Sequence, residues 1–319
     1  MVKIKKLIEK AKSADVEAQN NLGNCYFYGD GVKQDYKEAF KWYQLAAEQN
    51  YVPAQCNLGL CYEFAYGVEQ NYEKAVFWYK KAAEQENITA QCNLGYCYFY
   101  GNGIERDYKK AVYWYTKAAK QGDATTQCNL GDCHYCGDGV EQDFEKAVNW
   151  FRKSAEQNYA KAQNNLGNCY LYGDGVEQDY KEAFKWFKKA AEQNYAPAQC
   201  NLGACYYYGD GVKQNYKKAV YWYKKAAEQG NAATQCNLGD CYYYGHGVEQ
   251  DFEKATYWFE ISAEQGYTRA QIILGNCYKL GAGVPQDNKK AKMWYDKAKE
   301  NGEEFDEELL ELMKEAFNS

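Results

Sequence analysis

A leucine-glycine pair occurs at Leu22-Gly23, Leu58-Gly59, Leu94-Gly95, Leu130-Gly131, Leu166-Gly167, Leu202-Gly203, Leu238-Gly239 and Leu274-Gly275, each copy 36 residues after the last. A period of this kind is the signature of a repeat array in which each unit buries its apolar face against its neighbours and no single centre forms. Aligned on the pair, the unit reads Ala-Gln-x-Asn-Leu-Gly-x-Cys-Tyr, then Gly-x-Gly-Val-x-Gln-Asp, then Tyr-x-x-Ala-x-x-Trp-Tyr-x-x-Ala-Ala-Glu-Gln. Two amphipathic helices and two turns account for it. At about 100° of rotation per residue, Ala18, Gln19, Leu22, Cys25 and Tyr26 share one face of the first helix, and Asn20, Asn24 and Phe27 fall opposite. On the second helix Tyr36, Ala39, Trp42, Tyr43, Ala46 and Ala47 form the recurrent face, with Lys37, Glu38, Lys41, Gln44 and Glu48 on the other side.

The turns carry their own signals. Gly29 and Gly31 suit the left-handed conformation that ends a helix, and Asp35 suits the cap of the next. The second glycine is present in every unit, Gly31 through Gly283, whereas Ala65 replaces the first in unit two, where strain or a different turn shape is expected. Composition agrees with many thin, partly wet layers: 46% hydrophobic residues coexist with a mean hydropathy of -0.79 because 34 residues are tyrosine, whose ring packs while its hydroxyl stays near water. A net charge of -6 lacks the basic footprint of a nucleic-acid binder.

Both ends of the array are expected to be covered. Residues 1–15 align with a second helix, presenting Ile4, Leu7 and Ala11 inward beneath a lysine-rich outside; residues 16–302 hold the eight units; residues 303–319 offer Phe305, Leu309, Leu312, Met313 and Phe317 as a closing amphipathic helix. The first twelve residues lack the apolar run of a signal peptide, and no segment is apolar enough to span a membrane.

These columns resemble the Sel-like (Sel-one) repeat, a relative of the tetratricopeptide repeat with a longer first turn. The resemblance runs over residues 16 to 302 and rests on Leu-Gly-x-x-Tyr, Gly-x-Gly-Val, the cap aspartate, Lys-Ala-x-x-Trp-Tyr and Lys-Ala-Ala-Glu-Gln, the last two as in Lys218 to Gln229. It implies an all-α, right-handed superhelical solenoid that serves as an adaptor or scaffold. In a secreted branch of the family a disulfide uses a cysteine near the end of the second helix, where this chain has alanines such as Ala83 and Ala119.

An asparagine column, Asn21, Asn57, Asn93, Asn129, Asn165, Asn201 and Asn237, breaks only at Ile273. Asn21 and Asn24 lie at the edge and centre of the variable side of the first helix, which lines the concave groove in tetratricopeptide solenoids. Such a ladder suits the amides of an extended peptide; the alternative is that each asparagine holds successive units in register. Beside it, Asn24, Tyr96, Asp132, Asn168 and Asp240 in one column, and Phe99, Tyr135, Tyr207 and Tyr243 in another, change from unit to unit as a surface reading different ligand positions would. With the asparagines, these are the expected partner-binding residues; drift on a solvated face is the bland alternative.

The remaining patterns point to packing. Eight tryptophans, Trp42 to Trp294, occupy one column of the second helix. Most of the 14 cysteines follow two columns, in which partners such as Cys56 and Cys61 are too far apart along a helix for a disulfide, so buried thiols and a cytoplasmic location are expected. Cys133-His134-Tyr135-Cys136 resembles a redox motif but ends a helix, where the dipole opposes a thiolate. Two histidines in the whole chain give no material for a metal site or catalytic pair, and the Gly-x-Gly turns follow helix ends where carbonyls point outward. The expected protein is thus a monomeric scaffold without catalytic residues, metal or cofactor. It binds a protein or peptide, has no membrane span and does not bind nucleic acid. A hydrolase or carbohydrate-binding module using Asp132 and Asp240, or a self-assembling structural protein, is the alternative.

Overall fold

A computed structural model describes residues 2–301. Among them every regular element is an α-helix. After α1 (Val2–Lys12) come eight pairs: α2 (Val16–Tyr28) and α3 (Tyr36–Glu48), α4 (Val52–Phe64) and α5 (Tyr72–Glu84), α6 (Ile88–Tyr100) and α7 (Tyr108–Lys120), α8 (Ala124–Cys136) and α9 (Phe144–Glu156), α10 (Ala160–Tyr172) and α11 (Tyr180–Glu192), α12 (Ala196–Tyr208) and α13 (Tyr216–Glu228), α14 (Ala232–Tyr244) and α15 (Phe252–Glu264), α16 (Thr268–Leu280) and α17 (Asn288–Glu300). The chain forms two compact units, one ending at Gln157 and the other beginning at Asn158. The closing segment expected at 303–319 lies outside the described residues.

Within a repeat the two helices are pressed together at the glycine of the Leu-Gly pair. A methyl group on Gly59 would sit 2.5 Å from the Tyr79 ring, and one on Gly203 would sit 2.5 Å from Tyr223, so the absence of a side chain lets the aromatic of the second helix lie on the first helix's backbone. The leucine beside it is fully buried in each repeat except Leu130, which is 1% exposed. In the first unit α1 adds Ile4, Leu7, Ile8 and Ala11 to the cluster around Ala18 and Leu22.

The turns follow the sequence reading closely. Asp35 accepts from the Lys37 and Glu38 amides, and Asn71 and Asn215 do the same work for the Lys74 and Lys218 amides. Ala65 takes the strained of the two expected alternatives: at φ 59°, ψ 33° it occupies the same left-handed cap as the glycines, with its N–H on the Cys61 carbonyl, so the turn keeps its shape and the methyl bears the strain. The second glycine is needed for a different reason. At φ 73°, Gly67 lies against the start of the preceding second helix, and a methyl there would fall 2.0 Å from the Tyr36 carbonyl oxygen; Gly211 meets Tyr180 in the same way.

The glutamine of Ala-Gln is the joint between repeats. Gln127 is buried, donates 3.1 Å to the Ala119 carbonyl at the end of the previous repeat, and accepts at 2.8 Å from Gln157 at the end of its own. Gln91 and Gln235 make the same pair of bonds. Gln55 and Gln163 donate to Asn50 and Asn158, left-handed residues of the second turn. Each such amide ties three helix ends together.

Candidate functional site

The face made by successive first helices carries the expected binding residues, and the structure sorts them by column. Asn21 is exposed, because no first helix precedes its own, whereas Asn57, Asn93, Asn129, Asn165, Asn201 and Asn237 are half-buried. The amides of Asn57, Asn201 and Asn237 point toward the preceding first helix. Asn57 donates 3.0 Å to Asn20, and Asn201 donates 3.0 Å to Asn164 and 3.2 Å to Asn168. Asn20, expected on the solvated side, is buried and serves as acceptor. Where that position is cysteine the acceptor is lost or poor: Asn237 reaches only the Cys200 sulfur, 4.0 Å away, and the buried Nδ2 of Asn93 has no partner.

The column beginning at Asn24 is accessible in every repeat. Tyr96 is exposed, and Asn24, Asp132, Asn168 and Asp240 are half-buried. Asn24 also accepts from the Tyr43 hydroxyl at 2.8 Å, so one side of its amide faces the core. The column of Phe99, Tyr135, Tyr207 and Tyr243 differs from the wheel expectation. Each ring is half-buried against the first residue of the following helix, at centroid distances of 5.0 Å for Phe99 and Tyr108 and for Tyr135 and Phe144, 5.1 Å for Tyr207 and Tyr216, and 5.0 Å for Tyr243 and Phe252. The wheel ignored the second helix, whose first turn crosses this end of the first. For the same reason Tyr36, placed on the recurrent face by the wheel, is exposed at a helix start. The tryptophans pack as expected and several carry a lysine over the ring, at 4.3 Å for Lys153 on Trp150 and 4.1 Å for Lys189 on Trp186.

In the second unit the face closes into a cleft of about 290 Å³ lined by Asp240, Tyr243, Tyr244, Arg269, Ile273, Asn276, Lys279 and Leu280 among others. Arg269 bridges the last two repeats, 2.5 Å from the Asp240 carboxylate and 3.2 Å from the Asn237 oxygen. Burial raises the Asp240 carboxyl above the ordinary carboxylate range, and Arg269 opposes the rise. The two aspartates weighed for hydrolysis, Asp132 and Asp240, belong to different compact units. Asn276 and Lys279 continue the two variable columns of the sequence, whereas Arg269 was not singled out; the signal available was the break of the asparagine column at Ile273, in the same helix that brings two cations to this face.

Glu63 shows what a misplaced charge becomes here: it is buried, accepts at 2.5 Å from Tyr79, and burial raises its carboxyl. None of the 14 cysteines forms a disulfide, and burial pushes Cys61, Cys97 and Cys133 up to about 12. Cys136 is exposed, with its thiol also raised by partial burial and by Asp138. No described helix is long and apolar enough to cross a membrane.

The family model described as Sel1 repeat matches residues 16–51, 52–87, 88–123, 124–159, 160–195, 196–231, 232–267 and 268–303. Among solved structures, a protective antigen of uropathogenic Escherichia coli displaying an SLR fold is 39% identical with a TM-score of 0.80, over 94% of this chain and 64% of that protein. This chain therefore spans less than two thirds of that antigen's length. A Sel1 repeat protein from Oxalobacter formigenes is 32% identical with a TM-score of 0.72, over 98% of this chain and 91% of the other. A signal-transduction ATPase with a tetratricopeptide repeat sensor from Pyrococcus horikoshii shares the fold alone, at 16% identity and a TM-score of 0.52 over 88% of this chain and 45% of that one. No curated protein matches.

Proposed function

Since this chain belongs to the Sel1 repeat family, whose fold is an all-α repeat solenoid, we propose that it is a cytoplasmic interaction scaffold whose first-helix face, the concave side of such an array, holds an extended segment or a domain of a protein partner. Repeat proteins of this kind generally mediate protein-protein interaction. The observation that carries the reading is the contrast between adjacent columns of one helix. Leu22, Leu58, Leu94 and Leu130 and their glycines are buried and uniform, whereas two residues beyond the leucine the chain places Asn24, Leu60, Tyr96 and Asp132, all solvent-accessible and all different. A stack that needed only to stand would gain nothing from varying that column. A partner read at several points along its length would gain discrimination from it. The reading assigns the protein no reaction.

Asn93, Tyr96 and Asn129 form the part of this surface least committed to internal bonds. Partner capture from the native lysate by the full chain should therefore fail for the Asn93→Ala/Tyr96→Ala/Asn129→Ala variant while its melting temperature stays unchanged. Equal capture by the variant would contradict the proposal. Tyr135, being packed on Phe144, is left intact in this test.

A further inference from the structure

Every first helix but one ends in a large apolar or aromatic side chain that folding leaves in solvent. Tyr28 is 75% exposed, Tyr172 66%, Tyr208 68% and Tyr244 60%; Phe64, Tyr100 and Leu280 are likewise exposed, and Cys136 fills the place in the remaining repeat. Single exposed aromatics are ordinary, but a register of them on one edge of each unit is a surface in its own right. Packing does not require it, since Tyr208 meets only the edge of Tyr207 and Tyr28 only that of Phe27.

The surroundings favour one kind of occupant. Two residues before this column stands another tyrosine, and its ring is repeatedly covered by a lysine from the second helix: Lys74 lies 5.3 Å from the centre of Tyr62, Lys218 5.2 Å from Tyr206 and Lys290 4.9 Å from Tyr278. Tyr28, Tyr172 and Tyr208 carry no such cation among the described residues, and Tyr244 stacks on the His246 ring at 5.7 Å. The chain's own cations are sparse at this edge, three of the turns holding one each as Lys33, Arg106 and Lys213. From α2 to α14 the first helices hold only Lys161 and His134 as basic residues, while the second helices hold most of the lysines. A carboxylate stands two residues after three of the exposed rings, as Asp30 after Tyr28, Asp174 after Tyr172 and Asp210 after Tyr208, and the turn 173–179 contains three acidic residues and no basic one. The first helices all end at this edge, so their dipoles add negative potential. The starts of the second helices lie nearby, but Asp35, Asp107, Asp179 and their equivalents occupy those amides. Ring faces, carboxylates and helix ends therefore share one sign.

We infer that this edge, which borders the varied face, is a second binding surface, and that it takes an extended lysine- or arginine-rich segment of a protein partner with cationic side chains laid over successive rings. Charge complementarity selects this occupant over an acidic or neutral one. The full chain should bind a fluorescein-labelled peptide of about twelve residues alternating arginine and glycine, long enough to reach roughly 40 Å when extended, and binding should weaken as salt rises. The same peptide with glutamate for arginine should not bind. Tyr172→Leu/Tyr208→Leu/Tyr244→Leu, which keeps apolar bulk and removes the ring faces, should weaken the arginine peptide by about tenfold or more with an unchanged circular dichroism melt. Asp210→Asn should weaken it as well, whereas Asn93→Ala/Asn129→Ala should not, which separates this surface from the asparagine column. Equal binding of the glutamate peptide, or full affinity in the leucine variant, would overturn the inference. So would salt-sensitive self-association lost in that variant, because the occupant would then be the lysine-bearing second helices of another copy.

Discussion

At the scale of single residues, the two glycines of the first turn look alike in sequence and differ in the structure. Gly67→Ala has to place a methyl on the Tyr36 carbonyl and should cost more than about 3 kcal/mol, whereas Ala65→Gly relieves a left-handed alanine and should gain up to about 1 kcal/mol. Opposite shifts of the urea midpoint would bear this out; equal and small shifts would not. The asparagines divide similarly. Asn201→Ala removes two bonds and should lose about 1 kcal/mol, while Asn93→Ala discards a buried amide that has no partner and should be neutral or stabilising. None of this was legible from the recurring Asn alone, because the acceptor belongs to the previous repeat and depends on whether that residue is Asn20 or Cys56. Asp240 makes a pH-dependent contribution. Its carboxyl is raised in the folded state, so what it contributes to stability is fully present below the unfolded value of about 4 and is lost as pH rises through the folded value. Relative to Asp240→Asn, the unmodified chain should therefore lose ground as pH rises above about 4, as paired denaturant titrations would measure; a gap that widened in its favour would contradict the sign.

At the scale of elements, helix boundaries, caps and inner faces were readable, because Leu22, Ala39, Tyr43 and Ala46 obey helical spacing and Gly29 and Asp35 punctuate it. The wheel misplaced Asn20, Phe27 and Tyr36, since it treats a helix as having one neighbour, whereas here the first helix is flanked by its own second helix and by helices of adjacent repeats. Gln19 and its equivalents were placed on the inner face without a reason; the reason is a joint between helix ends. Gln127→Leu keeps the bulk but removes one donor to the Ala119 carbonyl and the acceptor of the Gln157 amide, and should cost about 1 to 3 kcal/mol by denaturant titration. Gln44→Ala, on the solvated side beside Glu48, should change stability by less than about 0.5 kcal/mol. Equal effects of the two substitutions would remove the joint from the account.

At the scale of the whole molecule, the period of 36 residues was enough to establish an all-α array, since the same apolar columns return eight times and can be buried only by stacking. Function was less legible, because most residues of such a stack specify their neighbours, and a position earns a binding role only by being accessible and unlike its counterparts. The varied column from Asn24 to Asp132 meets both conditions, which is why the account rests on it. The most direct measurement is site-specific photocrosslinking of the full chain in its native lysate, with benzoylphenylalanine placed in turn at Tyr96 on the varied face and at Tyr113 on the opposite, second-helix side, both exposed. A discrete protein adduct from position 96 and none from position 113 is the predicted result; an adduct from 113 alone, or from both equally, would contradict the assignment of the first-helix face as the partner surface.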